Sequence, residues 1–469
     1  MKKTYISRFR LFLVLLLVPL SCQVWVTQTR DKKMFSIDLN EIRQRGRIIA
    51  VTDYNSSNYF IYNGRPMGFQ LDLLRYFTQQ KGLELEVVPS KSIKDAFNML
   101  NSGAADLIAM NLTVTGNREA EITFTEPWGK THQVLVQRNL KSNKNASKIS
   151  DISQLNNRVL YLAGHSAYVQ SIEKIQEELG IHIQVVESDL YEDEDLIKKV
   201  ALGEIEFTVT DANTALTNQV YYPQLDISVS ISDKEDLAWA VRKDSPQLEQ
   251  ELNQWIVKFK RTTEYAVLYH KYFSVEKAAQ RKESRYWSVN HDNISVYDPI
   301  IKRYARQIGW DWRLLASVIF QESRFKPGVS SNAGAYGLMQ IMPSTGEQFK
   351  VDVYQSPEHN VMAGIRFIKK LDSYFKDSIP NQEERVKFIL ASYNAGLGHV
   401  QDARRLARKN GKDPNVWKNN VDIFLLQKAK PEYYTDKDVK HGYLHGRETY
   451  NYVKQVLTRY NHYRNLLPE

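Results

Sequence analysis

The spacing of apolar residues changes near position 296, and this change constrains the fold more than any other feature of the sequence. Across residues 39–273, short apolar runs such as 47–52 alternate with helical segments such as 69–77. Alternating strands and helices predict an α/β domain with a largely parallel sheet. A second strand-to-helix series starts at 158–166, so the domain is expected to have two lobes.

Helical spacing dominates the rest of the chain, with no strong strand signal after residue 296. The segment between the two patterns, residues 274–295, is charged and weakly periodic, as expected of a linker. We therefore expect an α/β domain over 39–273, a linker over 274–295 and an all-α domain over 296–469.

The first 22 residues have the features of a secretory signal. Four basic residues lie within positions 1–10, an apolar run covers 11–20, and Cys22 follows directly. Such a run is short for a membrane span. Cys22 is the only cysteine, so an internal disulfide is excluded, and its position predicts lipidation. The alternatives are simple cleavage or retention of the segment as an anchor.

A carboxyl group stands at the end of an apolar helix in the second domain. Residues 310–320 have aromatic and aliphatic side chains at helical spacing, and Glu322 follows them. Desolvation there is expected to raise the pKa of Glu322, which suits a general acid for glycosidic bond cleavage. A turn with two glycines, Gly334 and Gly337, follows, and a new helix is expected to start at Leu338.

Four blocks occur in order after residue 320, at 321–325, 331–340, 391–396 and 447–453. Together they resemble the catalytic domain of the soluble-lytic-transglycosylase, goose-lysozyme-like family, over residues 296–469. The resemblance implies an all-α lysozyme-like fold with Glu322 as the single catalytic acid and base. It also implies substrate-binding positions, which are Ser331, Gly337, Met339, Gln340, Tyr393, Asn394 and Tyr452. Met339 is equally well explained as a core methionine.

The number of carboxylates bears on the reaction. Most glycosidases use two carboxylates, whereas here only Glu322 lies inside a motif that is expected to line a cleft. Three others, Asp311, Asp352 and Glu448, are further candidates. With one carboxyl, the economical mechanism protonates the bridging oxygen and then deprotonates the sugar's own C6 hydroxyl, leaving a 1,6-anhydro-muramyl end. A lysozyme-type hydrolase is the nearest alternative.

The first domain also carries motifs, at 68–73, 105–109, 113–118, 124–128 and 209–211. They resemble the extracellular solute-binding proteins of family 3, which are periplasmic amino-acid-binding proteins. The resemblance implies that Arg118, with Thr113 and Ser166, binds a ligand carboxylate, and that Asp211 accepts its ammonium. The alternatives are an Arg118 salt bridge with a neighbouring glutamate and a helix-capping role for Asp211. Three aromatic residues, Tyr54, Tyr59 and Phe60, either wall the pocket or pack.

Charge separates the two halves of a chain whose net charge is +9. From residue 296 onward, 27 Lys and Arg stand against 18 Asp and Glu, so the positive excess belongs to the helical domain. Such a charge suits an anionic wall polymer, and export argues against nucleic acid. His441 and His445 have helical spacing, but Gly442 and Gly446 interrupt the helix and no acidic ligand block accompanies them. We therefore expect both histidines at the surface, and neither a metal nor a cofactor.

These features predict a peptidoglycan lytic transglycosylase of the bacterial envelope, on the periplasmic side and lipid-anchored to the outer membrane. Its expected partners are peptidoglycan glycan strands, a small amino-acid or muropeptide ligand, and a membrane through the lipid anchor. The alternative from another class is a solute-binding sensor whose helical domain docks onto the wall without cleaving it.

Overall fold

Two β-sheets and a bundle of helices make up the described part of the chain. A computed structural model describes residues 37–90, 92–139, 148–282 and 293–468. The predicted signal and Cys22 lie outside the described residues, as do residues 283–292 of the predicted linker. Everything that follows belongs to one compact unit, Ile37–Glu469.

The first lobe surrounds a mixed sheet in the order β4-β1-β5-β13-β6, with β7 also paired to β13. Its elements up to the first crossing into the second lobe are α1 (Leu39–Arg45), β1 (Arg47–Asp53), β2 (Phe60–Tyr62), β3 (Arg65–Met67), α2 (Phe69–Lys81), β4 (Glu84–Ser90), α3 (Ile93–Asn101), β5 (Leu107–Thr113), α4 (Gly116–Glu119), β6 (Thr123–Phe124) and β7 (Gly129–Thr131). Strand β1 runs parallel to β4 and β5. The predicted strand at 47–52 and helix at 69–77 are confirmed.

The second lobe surrounds a five-stranded sheet in the order β10-β9-β11-β8-β12. Its elements are β8 (Gln133–Arg138), a 3₁₀ turn (Ile152–Leu155), β9 (Val159–Ala163), α5 (Tyr168–Leu179), β10 (Gln184–Ser188), α6 (Asp193–Leu202), β11 (Thr208–Asp211), α7 (Ala212–Tyr221) and β12 (Leu225–Ser230). The chain then returns to the first lobe as β13 (Glu235–Val241), α8 (Pro246–Phe259), α9 (Thr263–Phe273) and α10 (Val275–Lys282). The chain therefore passes between the lobes twice, from β7 to β8 and from β12 to β13.

The sheets are less parallel than the sequence pattern suggests. Strand β13 pairs antiparallel with β5, and β8 pairs antiparallel with both β11 and β12. These antiparallel strands flank the two crossings, where the chain changes lobes without a crossover helix. Local sequence sets the ends of many helices, as at α2, which stops where Gly82 takes a left-handed conformation at φ 66°.

Helices make up the second domain, as predicted. They are α11 (Asp298–Gln307), α12 (Trp312–Ser323), α13 (Pro343–Gln348), α14 (Pro357–Phe375), α15 (Gln382–Ala395), α16 (Leu397–Lys409), an irregular turn (Trp417–Val421), α17 (Asp422–Gln427), α18 (Pro431–Tyr434) and α19 (Gly446–Leu466). The expected helix start at Leu338 is wrong. Residues 337–340 form a turn, and α13 begins only at Pro343, whose fixed φ suits a first helical position.

A buried ion pair fixes the long segment that precedes α19. The Lys428 ammonium, on a fully buried side chain, lies 2.6 Å from Asp402 Oδ2 and 2.9 Å from His399 Nδ1. The same Asp402 carboxylate accepts backbone N–H groups from Lys440 and His441 at 2.8 and 2.9 Å. One carboxylate thus ties α16, the end of α17 and the 440–441 segment together.

The last helix, α19, joins the helical domain to the first lobe. Buried Tyr59, Ile61, Leu71 and Val87 of the lobe belong to the same apolar core as the helices. Hydrogen bonds cross this junction from Tyr59 Oη to His462 Nδ1 (2.6 Å), from Tyr463 Oη to Gly64 O (2.6 Å) and from Asn465 Nδ2 to Val87 O (2.7 Å). Burial lowers the pKa of His462 to about 3, so its imidazole is neutral.

Candidate active site and sensor cleft

Glu322 lies in the last turn of α12, a helix whose residues 312–320 are all buried. The helix starts at an Asp311 cap, which accepts the Arg313 N–H at 2.9 Å. It ends because Arg324 and Phe325 adopt positive φ angles of 52° and 60°. The buried helix carries Glu322 to the edge of the core, where the side chain is half-buried.

The environment of Glu322 raises its pKa. Burial raises this pKa from 4.5 to about 7, and a hydrogen bond from Tyr452 partly opposes the shift. The Tyr452 hydroxyl, itself buried on α19, donates to Glu322 Oε1 at 2.5 Å. A carboxyl with this pKa is partly protonated at neutral pH, as the sequence predicted for a general acid.

Burial alone raises the pKa of Glu322, and no carboxylate among the described side chains contributes to the shift. Asp311 is at the opposite end of α12, where it pairs with Arg313. Asp352 lies in a turn and accepts the Tyr354 N–H at 2.9 Å. Glu448 is exposed in the first turn of α19. The further candidates from the sequence are therefore not paired with Glu322.

The turn at 337–340 closes against α12 and α14. Ser323 Oγ donates to Leu338 O at 2.8 Å, and Asn360 Oδ1 accepts the Met339 N–H at 2.8 Å. Gly337 has a φ of 83°, and a Cβ there would lie 2.4 Å from Asn360 Nδ2. Glycine is therefore required by both backbone conformation and space.

Three predicted substrate-binding residues lie in or just before this turn. Met339 is fully buried, and a Cβ on Gly364 would lie 2.4 Å from its Sδ, so its side chain is part of the core. Gln340 donates from Nε2 to Val329 O at 2.8 Å and to Gly337 O at 2.9 Å. The Ser331 side chain is exposed and accepts the Ala335 N–H at 3.0 Å.

The tyrosine and asparagine of the third block lie at the end of α15. Tyr393 Oη donates to Met339 O at 2.6 Å, and the charge of Glu322 raises the pKa of Tyr393 after the larger effect of burial. Asn394 is exposed, and its Oδ1 accepts Thr449 Oγ1 at 2.8 Å. Glu322, Tyr393 and Tyr452 are thereby brought together from three helices.

Sequence reasoning missed two supporting residues. Asn360 holds the turn through Met339 N and also donates from Nδ2 to Tyr336 O at 2.8 Å. Thr449 orients Asn394 from the first turn of α19. Thr449 lies inside the fourth block and was detectable there, whereas Asn360 lies outside every block and carries no local signal.

The first-domain site residues meet at the cleft between the lobes. Arg118 donates to Thr113 O and to His165 O, both at 3.0 Å, and the second bond crosses from one lobe to the other. The salt bridge with a neighbouring glutamate is wrong, because Arg118 makes these backbone contacts instead. The capping role of Asp211 is also wrong, since this residue occupies the cap position without a side-chain capping bond.

Asp211 and Ser166 are both buried in the cleft. Asp211 is 3% exposed and Ser166 is 8% exposed. Asp211 Oδ1 and Ser166 Oγ have no hydrogen-bond partner in the described structure. Of the three aromatic residues expected near the pocket, Tyr59 packs at the domain junction and Phe60 packs in the lobe core, whereas Tyr54 is exposed.

The described ranges contain neither a metal-binding cluster nor a helix that could span a membrane. No three His, Cys, Asp or Glu side chains there are arranged to hold a metal ion. Within the same ranges, every helix is too short or too polar to cross a membrane. His441 and His445 are exposed, as expected.

Family models match both domains. The model for bacterial extracellular solute-binding proteins, family 3, matches residues 47–275, and the model for the transglycosylase SLT domain matches residues 299–416. Holo ArgBP from T. maritima is 24% identical, with 50% of this chain and 100% of that chain covered and a TM-score of 0.42. The fold and the helical site thus define a solute-binding domain joined to a lytic transglycosylase.

Relatives extend over nearly the whole chain. Membrane-bound lytic murein transglycosylase F of Desulfosudis oleivorans is 34% identical, covering 96% of this chain and 97% of the relative. The protein of the same name from Photobacterium profundum is 30% identical, covering 97% of this chain and 86% of the relative. The chain belongs to the membrane-bound lytic murein transglycosylase F family, and it is a lytic transglycosylase.

Proposed function

We propose that this protein cleaves the β-1,4 bond between MurNAc and GlcNAc in peptidoglycan and leaves 1,6-anhydro-MurNAc ends. The observation that carries the proposal is Glu322, a half-buried acid with a pKa raised to about 7 and no second carboxylate acting on it. Hydrolysis by a pair of carboxylates needs a partner close to the acid. A single carboxyl that gives and then takes a proton suits an intramolecular displacement.

Glu322 handles the proton in both steps of the proposed reaction. Tyr452 donates to Glu322 Oε1, so the acidic proton is carried on Oε2 and passes to the bridging oxygen as the glycosidic bond breaks. The resulting carboxylate accepts the proton of the C6 hydroxyl while O6 bonds to C1. Glu322 is thereby returned to its protonated state, and no water is consumed.

The substrate-binding assignments remain part of this proposal. We assign substrate binding to Ser331, Gly337, Gln340, Tyr393, Asn394 and Tyr452. Support comes from two hydrogen bonds, from Tyr393 Oη to Met339 O, which links the end of α15 to the turn, and from Tyr452 Oη to Glu322. For Met339 we assign the backbone carbonyl, which orients Tyr393, because the side chain is buried. The bounds 39–273 and 296–469 describe the two functional units.

We also propose that the first domain regulates cleavage when it binds an amino acid or muropeptide. Support comes from the junction, because α19 carries both Tyr452 and the residues that bond the first lobe. The β2–β3 turn adds a second contact. A Cβ on Gly64 would lie 2.7 Å from the Phe325 ring and 2.8 Å from the Phe320 ring, and these rings flank Glu322 in sequence. Movement of the lobe would therefore reach both sides of the acid.

Mass spectrometry of peptidoglycan digests tests the reaction. The wild-type protein should release products lighter than reducing-end products by one water, and Glu322→Gln should release almost none. Reducing ends from the wild type would instead indicate a lysozyme-type hydrolase. Glu448→Gln is the matched control, because this exposed glutamate of the same domain should be dispensable.

Two glycine variants test the regulatory route. Gly64→Ala and Gly46→Ala both place alanine at a φ near 73°, but a Cβ on Gly46 meets nothing within 4 Å. Cleavage rates are measured with and without amino acids and muropeptides. We expect a ligand response in the wild type and in Gly46→Ala, and a lost or reduced response in Gly64→Ala and in Arg118→Ala. If the cleavage rate does not depend on ligand in any of these proteins, the first domain acts only as a tether.

The cellular location follows from the family and the N-terminal sequence. The relatives are named as membrane-bound murein transglycosylases, which places them at the cell envelope. We propose that residues 1–22 are a signal, that Cys22 is lipidated, and that the protein is held at the periplasmic face of the outer membrane. Palmitate labelling of the wild type and of Cys22→Ala tests this assignment.

A further inference from the structure

The cleft between the lobes is closed by hydrogen bonds. Ser56, between β1 and β2, donates its N–H to Glu194 Oε2 of α6 at 3.1 Å, and its hydroxyl also donates to this carboxylate. Arg118 bonds the His165 carbonyl from the other lobe. The side chains around these contacts therefore define the chemistry of a closed binding site.

Carboxylates from both lobes gather in this cleft. Asp53 ends β1 in the first lobe, whereas Asp193 starts α6 and Asp211 ends β11 in the second. Asp53 and Asp193 act on the pKa of Asp211, as does Glu235, and all three raise it after the larger effect of burial. Arg118 is the cation that opposes them. The cleft thus contains more negative than positive groups.

Neutral donors bind two of these carboxylates. Asp53 accepts Asn58 Nδ2 at 2.9 and 3.0 Å, and Asp193 accepts Tyr168 Oη at 2.6 Å and Thr210 Oγ1 at 2.9 Å. In the part of the chain that the structure describes, none of Asp53, Asp193 and Asp211 forms an ion pair. Asp211 is buried, and Asp53 and Asp193 are half-buried. Carboxylates shielded from water without a cation are costly, so a cationic partner would be favoured.

Two buried atoms in the cleft also lack partners. Asp211 Oδ1 can only accept a hydrogen bond when ionised, and Ser166 Oγ can donate or accept. Buried polar atoms in folded proteins are nearly always hydrogen-bonded. Asp211 is the last residue of β11, and Ser166 lies three residues past the end of the adjacent strand β9. Two unpartnered atoms on neighbouring segments of the second lobe point to a ligand with its own donors rather than to a local packing defect.

We propose that the cleft binds an amino acid with a second amine on its side chain. This ligand class rests on the proposed sensor function, in which Arg118 takes the carboxylate and Asp211 the α-ammonium. The second ammonium would lie between Asp53 and Asp193. A neutral amino acid would neutralise only one of the three aspartates, and an acidic one would add charge of the same sign. A diamine without a carboxylate would leave Arg118 without an anionic partner.

Protonation gives the site an additional signature. Burial raises the pKa of Asp53 to about 7, with further increases from Glu194 and Asp193, and Asn58 opposes the shift. Burial likewise raises the pKa of Asp193 and Asp211. A ligand with two ammonium groups favours the ionised carboxylates, so its binding should release protons near neutral pH.

Isothermal titration calorimetry of the purified full-length protein tests the ligand class. The probes are L-lysine, L-norleucine, Nε-acetyl-L-lysine and cadaverine. Norleucine matches lysine in chain length but lacks the second amine, and cadaverine lacks the carboxylate. Lysine should bind about 10–100-fold more tightly than the other three, since one charged hydrogen bond contributes about 1.5–3 kcal/mol and 1.4 kcal/mol is tenfold. Proton release should appear as a buffer-dependent heat for lysine alone.

Two variants locate the second amine. Asp53→Asn and Asp193→Asn should each weaken lysine binding towards the norleucine value and leave norleucine binding unchanged. Thermal melts identify a variant that fails to fold, in which case the other variant decides. Lysine preference that survives in both folded variants would overturn the assignment of this subsite.

The outcomes separate this inference from the sensor function. Norleucine binding as tight as lysine would refute the diamino ligand while leaving amino-acid sensing intact. Cadaverine binding as tight as lysine would refute the role of Arg118 as a carboxylate anchor. Absence of binding by all four probes would refute the ligand class. The muropeptide response of the cleavage assay would then decide whether any ligand acts on this domain.

Discussion

Replacing Glu322 by glutamine should stabilise the protein at alkaline pH while abolishing cleavage. The folded-state pKa of about 7 lies above the ordinary value of 4.5, so the unfolded chain ionises this group at lower pH than the native protein. Below pH 4.5 both states are protonated, and the residue has no pH-dependent effect. Between the two pKa values stability falls as pH rises, and above pH 7 the full cost remains. At 1.36 kcal/mol per unit, that cost is about 3 kcal/mol.

Glutamine is neutral at every pH and still accepts a hydrogen bond from Tyr452, so the variant avoids the cost without leaving a cavity. We expect a gain of about 3 kcal/mol at pH 8.5 and less than about 1 kcal/mol at pH 5. Thermal unfolding of wild type and variant from pH 5 to 9 measures this gain. For a domain of this size, 1 kcal/mol corresponds to about 2–4 °C.

Glu448→Gln is the control, because exposed substitutions usually change stability by about 0.5 kcal/mol or less. A constant difference between wild type and Glu322→Gln across the pH range would refute the reasoning. So would destabilisation by Glu322→Gln at pH 8.5. Either result would mean that Glu322 is ionised in the native protein without an energetic cost, and that its role as an acid at neutral pH needs another explanation.

Three further changes have defined outcomes. Tyr452→Phe removes the bond that lowers the pKa of Glu322, so the alkaline limb of the cleavage rate should move up by about 1 pH unit; an unmoved limb would contradict this. Lys428→Met leaves the Asp402 carboxylate buried without its ammonium and should cost up to about 3–5 kcal/mol in urea unfolding, so a loss below about 1 kcal/mol would show that Arg405 compensates. Gly337→Ala should cost about 1–3 kcal/mol through backbone strain and slow cleavage of peptidoglycan; unchanged turnover would separate the turn from the active site.

Local pattern was sufficient to predict the core of the site. Residues 310–320 showed helical spacing before Glu322, and the structure confirms a buried helix and a raised pKa at that position. The fourth block predicted Tyr452 as a functional position, and Tyr452 contacts Glu322. Such features are readable because helix periodicity and a polar residue at the end of an apolar run are properties of neighbouring residues.

Contacts between distant residues could not be predicted in the same way. Tyr59 was expected to wall the pocket or pack, and it packs against His462, which lies 403 positions away. The turn at 337–340 resembled a helix start because its residues suit one, but Asn360 binds Met339 N and Tyr336 O and holds the backbone in a turn. Tertiary hydrogen bonds therefore overrode local propensity, and no local signal records their partners.

The position of α19 in the chain has a consequence for when the enzyme becomes active. Ribosomes deliver Glu322 more than a hundred residues before Tyr452. Until α19 docks, Glu322 lacks the tyrosine that orients it, and the two domains lack their shared hydrogen bonds. Protease cleavage between α18 and α19 would have the same effect at a later time. A wall-degrading activity is thus tied to completion and integrity of the chain, which protects a cell from its own partly made enzyme.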